Sequence, residues 1–448
     1  MPGETRPILK LALPLIIGQL GQMLLGVADT VIVARVGVLD VAALAFSNVL
    51  FHVPLVFGIG VLTCISVRTA NARGANDPLA ARATCLNGLW LSLGLGLVLF
   101  AVMAALTPKL AWFGQPADVT HRAPVFYLIL MASLVPALAG IGLKNHADAM
   151  NRPWPPFWIF LGGVALNVVL AIALVFGKLG FPLLGLEGAG WATLISRWAM
   201  VIAMLLWLRG SRVLSDWVPE RWFAKPEVAA LKHLLVLGLP ASLQMLCEVG
   251  AFTTAGLLVG RFGTDALASH QIALTCAATA FMVPLGLSMA LTVRIGEAYG
   301  AGEFSRLRPI ALSGWGLALA FTLLSGGTFL LAGEPLAHLF VADSDVIHLS
   351  ASLLMIVGVF QIFDGIQVAS ASMLRGLHDV RLPAVLGFVS YWLFGLPIAA
   401  GLAFAGHLGP RGVWWGLASG LAAAALVLTP RLWRKTAHKG IGYEPGKV

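Results

Sequence analysis

The chain has 448 residues, of which 59% are hydrophobic and only 11% charged, and its mean hydropathy is +0.89. Because a soluble domain carries about a quarter charged residues, this composition excludes an ordinary water-soluble enzyme. The net charge of +9 does not indicate nucleic-acid binding, since basic residues of membrane proteins concentrate in cytoplasmic loops.

Long apolar runs predict membrane-spanning helices. Strands of a membrane barrel alternate over about ten residues, whereas these runs are unbroken and about twice as long. The first run continues past residue 30 without a small-residue cleavage pattern, so we expect a first span and no signal peptide. Twelve spans are predicted, at 8–34, 43–70, 84–107, 123–143, 155–177, 187–208, 233–260, 267–293, 310–333, 348–374, 384–406 and 412–430.

The distribution of lysine and arginine predicts the orientation of these spans. With the N-terminus inside, the inner segments hold 22 of the 29 basic residues and the outer loops hold 6, while Arg197 lies within a span. Basic residues accumulate on the cytoplasmic side, so we expect both termini to be cytoplasmic. The four cysteines form no CxxC pair, which argues against a redox or zinc site.

An internal repeat relates the two halves at an offset of 226 residues. The sequence of 11–14 resembles that of 237–240, and 66–75 resembles 292–301. Six spans separate equivalent helices, so both halves have the same orientation, as in transporters built from parallel repeats. We therefore predict an all-α membrane protein with two homologous six-helix lobes, at 1–208 and 233–448.

Residues 209–232 are predicted to form a cytoplasmic connector between the lobes. This segment alternates charged residues with Trp217 and Trp222. Tryptophan among charges is typical of the lipid headgroup region, so we expect the connector to lie there.

Three acidic residues fall inside predicted spans. Glu248 and Asp364 lie about fifteen residues into spans seven and ten, near the midplane, and Asp29 lies towards the outer end of span one. An ionisable group in a span is costly and usually marks an ion or substrate pathway. In the repeat Glu248 corresponds to Gln22 and Asp29 to Ala255, so the two halves differ in their acids.

Other polar and flexible residues near these acids are weaker candidates. Asn167 is as well explained by helix packing as by ion binding. Arg197 is expected to be structural, and His270 and Gln271 are expected to be interface residues. Candidate contacts to an ion or a lipophilic substrate are Gln244, Met245, Met282, Phe360 and Gln361, and Gln367 also flanks Asp364. Ordinary helix packing explains these residues at least as well.

Motifs for ATP hydrolysis and for common hydrolases are missing from the sequence. It contains no Walker A, GxSxG or HExxH pattern. Energy for transport must then come from an ion gradient.

Several segments of the sequence form a pattern in a fixed order. They are 11–14 with Asp29 and Thr30, 185–193, 238–240 with Glu248, 268–272, and Asp364 with 374–379. Together these segments resemble the multidrug and toxic compound extrusion (MATE) family, and its NorM-like bacterial branch most closely. The resemblance covers about residues 8–430.

This resemblance implies two six-helix lobes with a central cleft, exporting organic cations against Na⁺ or H⁺ across a bacterial inner membrane. It further implies that Glu248 and Asp364 are the cation-coupling acids, which would hold Na⁺ if that is the ion. Asp29, with Asn167 nearby, matches a proton or drug site. Two departures leave the ion open: Phe360 stands where relatives often have tyrosine, and Ala171 where some carry an acid.

We therefore expect a multidrug efflux antiporter with no cofactor besides its coupling ion. Its partners would be lipophilic cationic small molecules and the bilayer, without nucleic acid, and it would act as a monomer. The alternative is a lipid-linked precursor or polysaccharide flippase of the same architecture. A flippase would more often carry several basic residues in its cleft, whereas here Arg197 is the basic residue that lies far from the ends of a predicted span.

Overall fold

A computed structural model describes residues 2–178 and 180–437, and within these ranges the chain forms helices and turns without strands. This confirms the predicted all-α class. The long helices are α1 Pro2–Ala34, α2 Val38–Gly74, α3 Pro78–Ala105, α4 Pro124–Ala149, α5 Trp154–Phe176, α6 Leu186–Gly210, α7 Val228–Phe262, α8 Thr264–Gly300, α9 Phe304–Leu331, α10 Ser344–Gly376, α11 Arg381–Ala405 and α12 Pro410–Ala437.

Eleven of these helices, α2 to α12, are long and apolar enough to cross a membrane, counted over the described residues. The shortest, α5, has 23 residues, which corresponds to about 35 Å of helix. Several helices extend a few residues beyond the predicted spans; α7, for example, begins at Val228 rather than near 233. Hydropathy marks the hydrocarbon crossing, whereas helical hydrogen bonding continues into the polar interface.

Short helices follow the third helix of each half at equivalent positions. Thr107–Phe113 lies between α3 and α4, and Gly333–His338 lies between α9 and α10. Their first residues are separated by the same 226 residues as the sequence repeat. The repeat is therefore present in the connections as well as in the long helices.

Packing divides the chain into two compact units that differ from the predicted lobes. The N-terminal unit contains residues 17–242, and the C-terminal unit contains residues 1–16 and 243–448. The first part of α1 thus belongs to the C-terminal unit, and the connector with the first part of α7 belongs to the N-terminal unit. The boundaries at 16 and 242 are again related by the repeat.

The first part of α1 and the first part of α7 each pack in the unit formed by the other half, an arrangement that we call the exchange of helix segments. Two close helix contacts explain it. A Cβ atom at Gly60 of α2 would lie 2.3 Å from the Cα of Ser242 in α7. A Cβ atom at Gly286 of α8 would lie 2.8 Å from the Cα of Ile16 in α1. Both pairs are equivalent in the repeat, and in each the glycine lets two backbones meet. The opening part of each half's first helix therefore packs against the second helix of the other half.

The connector packs onto the N-terminal unit. Arg82 of α3 donates from Nε to the Asp216 carbonyl oxygen at 2.7 Å and from Nη1 to Glu220 at 2.6 Å. Trp222 is buried in a core with Leu214, and Trp217 packs against the same core. Apolar side chains of neighbouring helices cover Trp222, which therefore anchors the connector to this unit.

Candidate functional site

The two central acids of the C-terminal unit come together. Glu248 lies twenty residues after the start of α7, and Asp364 lies twenty residues after the start of α10. They are close enough for their charges to repel each other. Asp364 is 7% exposed, and its Oδ1 accepts no hydrogen bond from the described residues. A buried carboxylate with an unpaired oxygen is costly, so this acid pair (Glu248 and Asp364) has reason to bind a proton or a cation.

Arg375 supplies an opposite charge to Glu248. It lies in the last turn of α10, and its charge acts favourably on Glu248. In the sequence Arg375 is one of the 22 basic residues of the inner segments, and its position predicts no role in the site. Arg375 and Glu248 lie on different helices and far apart in the sequence, so no sequence spacing brings them together.

Tyr391 is a second group at the acid pair that no sequence pattern predicts. It lies in α11 within a π-helical segment, Val389–Gly395, and is 1% exposed. The charges of both Glu248 and Asp364 act on its hydroxyl group, and its Oη makes no hydrogen bond to a described residue. A buried hydroxyl without a partner, on a local π-helix, is a frequent feature of functional sites. The available signal was rarity, since the chain has four tyrosines.

An aromatic wall lies beside the acid pair. Phe360, one turn before Asp364, meets Phe252 of α7 edge-on at 5.8 Å between ring centroids and Trp414 of α12 at 5.9 Å. His270 of α8 packs on Trp414 at 5.4 Å and is 2% exposed, as expected for an interface residue. Phe360 is 2% exposed and Trp414 0%, so these rings belong to the packed core of the unit, with Phe252 partly buried against them.

Two glutamines flank Asp364 on α10. The Oε1 of Gln361 accepts from the Ser325 hydroxyl at 2.5 Å, while its Nε2 has no partner among the described residues. Gln367 is 1% exposed, and its Oε1 likewise has no described partner. Both amides therefore have hydrogen-bonding capacity that a bound ion, water or substrate could use.

The other residues of this unit that the sequence predicts as ion or substrate contacts have no described contact with the acid pair. Gln244 is buried against Gly387 of α11, one turn before Glu248. Met245 and Met282 are half-buried, and the described contacts do not join either side chain to the acid pair. Gln271 is exposed.

A separate polar cluster occupies the N-terminal unit. The charge of Arg197, on α6, acts on Asp29 of α1, whose Oδ1 has no described hydrogen-bond partner. Arg197 also donates from Nη1 to the Ser133 hydroxyl at 2.6 Å and lies 4.7 Å from the ring centroid of Phe51. Arg197 is therefore both a countercharge for Asp29 and a link between three other helices.

Asn167 of α5 forms a hydrogen bond to α6 at a position one turn before Arg197. Its Nδ2 donates to the Thr193 hydroxyl at 3.1 Å, while its Oδ1 has no partner among the described residues. Thr193 and Arg197 are four residues apart, so α6 connects Asn167 with Asp29. Ala171, where a further acid was considered, is completely buried and adds no polar group.

The arrangement contains no cluster typical of a transition-metal site. Within residues 2–178 and 180–437, no three His, Cys, Asp or Glu side chains gather in a way that could hold a metal ion. Each unit instead presents carboxylate and amide or hydroxyl oxygens, which are the groups that bind H⁺ or Na⁺.

A comparison with known families decides what kind of protein carries these clusters. A family model described as MatE matches residues 14–173 and again 240–400. The chain belongs to the MatE family. The two MatE matches begin 226 residues apart, which confirms that the halves are homologous and that the predicted offset is right.

Curated relatives in this family cover nearly the whole chain. A protein named probable multidrug resistance protein NorM from Pseudomonas putida is 36% identical over 431 residues, 95% of this chain and 93% of that protein. Its namesake from Burkholderia mallei is 36% identical over 438 residues, 96% of this chain and 93% of that protein. Multidrug resistance protein NorM of Burkholderia vietnamiensis is 35% identical over 433 residues, 95% and 93% of the two chains.

Solved structures of MATE transporters share the fold. The outward-facing structure of a multidrug resistance MATE transporter matches with a TM-score of 0.88 at 23% identity, over 97% of this chain and 96% of that one. The eukaryotic MATE transporter AtDTX14 matches with a TM-score of 0.87 at 22% identity, over 97% of both chains. At these identities the likeness establishes the fold, and the chain is a multi-pass membrane protein of MATE architecture.

Proposed function

We propose that this protein is a secondary multidrug efflux antiporter that exports amphipathic organic cations in exchange for Na⁺ or H⁺ by alternating access. The observation that carries the proposal is the acid pair in the C-terminal unit, where a buried Asp364 and a half-buried Glu248 lie beside an aromatic wall. The names of the curated relatives, multidrug resistance proteins, support the same function.

The acid pair explains how an ion gradient could drive export. Two neighbouring carboxylates cannot both stay charged and unpaired in a low-dielectric site, so they take up H⁺ or Na⁺. An organic cation that binds near the aromatic wall would compete for the same negative charge. Competition for one charge couples release of the substrate to uptake of the ion.

The cluster at Asp29 and Asn167 would serve as the proton or drug site of the N-terminal unit. Arg197 partly neutralises Asp29 when that carboxylate is charged and repels substrate cations when it is protonated. Protonation of Asp29 would therefore weaken cation binding in this unit. We place the protein in the bacterial inner membrane, with both termini in the cytoplasm, acting as a monomer.

Export from living cells tests this function. Expression of the chain in an efflux-deficient bacterium should lower the accumulation of a fluorescent organic cation, and Glu248→Gln should reduce that effect by roughly tenfold or more. The control is Glu334→Gln, which changes an acid whose side chain is 58% exposed. Equal export by parent and Glu248→Gln would remove the acid pair from the mechanism.

Tyr391 is proposed to complete the acid pair by supplying the hydroxyl that Phe360 lacks. Tyr391→Phe should raise the ion concentration needed for half-maximal transport about tenfold, because one hydrogen-bonding oxygen is lost from the ion site. The matched control is Tyr127→Phe, another buried tyrosine, whose hydroxyl donates to the Met103 carbonyl at 2.9 Å. An unchanged ion dependence in Tyr391→Phe would show that its hydroxyl does not contact the ion.

A further inference from the structure

Trp392 joins α11 to α7 beside the acid pair. Its indole Nε1 donates a hydrogen bond to the Cys247 carbonyl oxygen at 3.0 Å. Cys247 directly precedes Glu248, so this bond ends one residue away from one of the two acids. Trp392 also directly follows Tyr391, on whose hydroxyl group the charges of both acids act. One side chain therefore links the two segments that carry Glu248 and Tyr391.

Close packing between the same two helices surrounds this hydrogen bond. A Cβ atom at Gly250 of α7 would lie 3.0 Å from Cζ2 of Trp392, so the indole ring lies almost against the α7 backbone. A Cβ atom at Gly387 of α11 would lie 3.3 Å from Cγ of Gln244. The ring of Phe388 stacks on that of Trp392, with 6.4 Å between their centroids and 15° between their planes. The indole ring therefore has little room to turn away from α7.

The contacts of α7 determine which way it faces at the acid pair. Residues four apart lie on one side of a helix. Gln244, one turn before Glu248, contacts α11. Phe252, one turn after Glu248, packs against Phe360 of α10. Glu248 is thereby placed between α10 and α11, the two helices that carry the other members of the site.

The electrostatic forces on Glu248 depend on whether the site holds an ion. Asp364 repels Glu248 when both carboxylates are charged, and Arg375 attracts it. Binding of a proton or a cation weakens both forces. The hydrogen bond from Trp392 joins two uncharged groups, so it holds α7 before and after the ion binds.

We propose that Trp392 is a positioning residue that sets the affinity of the acid pair for its coupling ion. This inference rests on the proposed antiport at the pair. Trp392 acts through the α7 backbone, because its N–H group is already used by the Cys247 carbonyl oxygen. Without that bond α7 can turn, and ion binding must first return Glu248 to its place. The cost of that return cannot exceed the free energy of the lost hydrogen bond.

The ion dependence of transport in proteoliposomes tests this role. Trp392→Phe keeps an aromatic ring in the contact but removes the donor, so the ion concentration for half-maximal transport should rise about fivefold. The concentration of organic cation for half-maximal transport should stay within about twofold of the parent value. A purely structural role would instead lower the amount of folded protein and leave the ion dependence of the folded molecules unchanged.

The matched control is Trp90→Phe in the N-terminal unit. Trp90 Nε1 donates to the Ala224 carbonyl oxygen at 2.9 Å, so this variant loses a hydrogen bond of the same kind. Because Trp90 belongs to the other unit, the ion dependence should remain that of the parent.

Gly250→Ala tests the same contact with the indole donor still present. Its Cβ would displace the Trp392 ring slightly, so the ion dependence should shift in the same direction as in Trp392→Phe. The control is Gly260→Ala on the same helix, where the added Cβ meets no atom within 4 Å.

The outcomes separate this inference from the proposed function. Parent-like ion dependence in folded Trp392→Phe would overturn the positioning role while antiport stands. If Trp392→Phe does not fold, parent-like ion dependence in Gly250→Ala would overturn it instead. A parent protein whose transport responds to neither Na⁺ nor H⁺ would refute the proposed antiport and this inference with it.

Discussion

Asp364→Asn is expected to abolish coupled export, lowering transport of an organic cation by roughly a hundredfold while the protein stays folded. Asparagine matches the shape of aspartate, but it can neither release a proton nor supply a negative charge to Na⁺. The Oδ1 of Asp364 has no described hydrogen-bond partner, so the substitution breaks no structural bond at that atom. Transport per folded molecule is the measurement.

The matched control for this prediction is Asp345→Asn. Asp345 lies at the exposed start of the same helix, α10, nineteen residues before Asp364. It should transport like the parent protein. Full export by Asp364→Asn would refute the role of the acid pair, whereas loss of folded protein in that variant would point to a structural role for the carboxylate.

Gly60→Leu is expected to prevent assembly of the N-terminal unit, with a loss of stability of about 3 kcal/mol or more. Any Cβ at this position would come within 2.3 Å of the Ser242 Cα and 2.9 Å of its backbone nitrogen. Backbone atoms cannot move aside as a flexible side chain does, so α7 would have to separate from α2. Size-exclusion chromatography and a thermal unfolding assay would report the loss.

Two companion variants make this test specific. Gly286→Leu should fail in the same way, because a Cβ there lies 2.7 Å from the backbone nitrogen of Ile16. Gly316→Leu, in α9, has no atom within 4 Å of the added Cβ and should remain folded. A stable Gly60→Leu protein would show that the exchange of α1 and α7 between the units does not depend on close helix packing.

The helices and their repeat were predictable because lipid imposes strict rules on sequence. A hydrocarbon layer of about 30 Å requires apolar runs of some twenty residues. Within it the backbone N–H and C=O groups must hydrogen-bond to each other, which favours helices. Glycine and proline landmarks such as Pro14 and Pro240 recur at one offset, so the repeat appears without a structure. Mid-span acids were predictable for the same reason, since a charge such as that of Glu248 is exceptional in lipid.

The exchange of helix segments and two members of the site were not predictable. The contact of Gly60 with Ser242 joins residues far apart in sequence, and no local pattern distinguishes a glycine at a crossing from one facing lipid. Tyr391 lies in a π-helical segment, where regular helical spacing assigns the wrong face. Arg375 lies at a helix end, where hydropathy predicts an interfacial residue rather than a countercharge to Glu248.

Transport in proteoliposomes tests the central proposal most directly. Purified protein would be reconstituted with a fluorescent organic cation, and export would be followed under an imposed Na⁺ gradient and, separately, under an imposed proton gradient. We predict movement of the cation under one of the two gradients, and no movement under that gradient in Asp364→Asn. No movement under either gradient, with folded and correctly oriented protein, would contradict cation antiport and favour a lipid-linked precursor flippase.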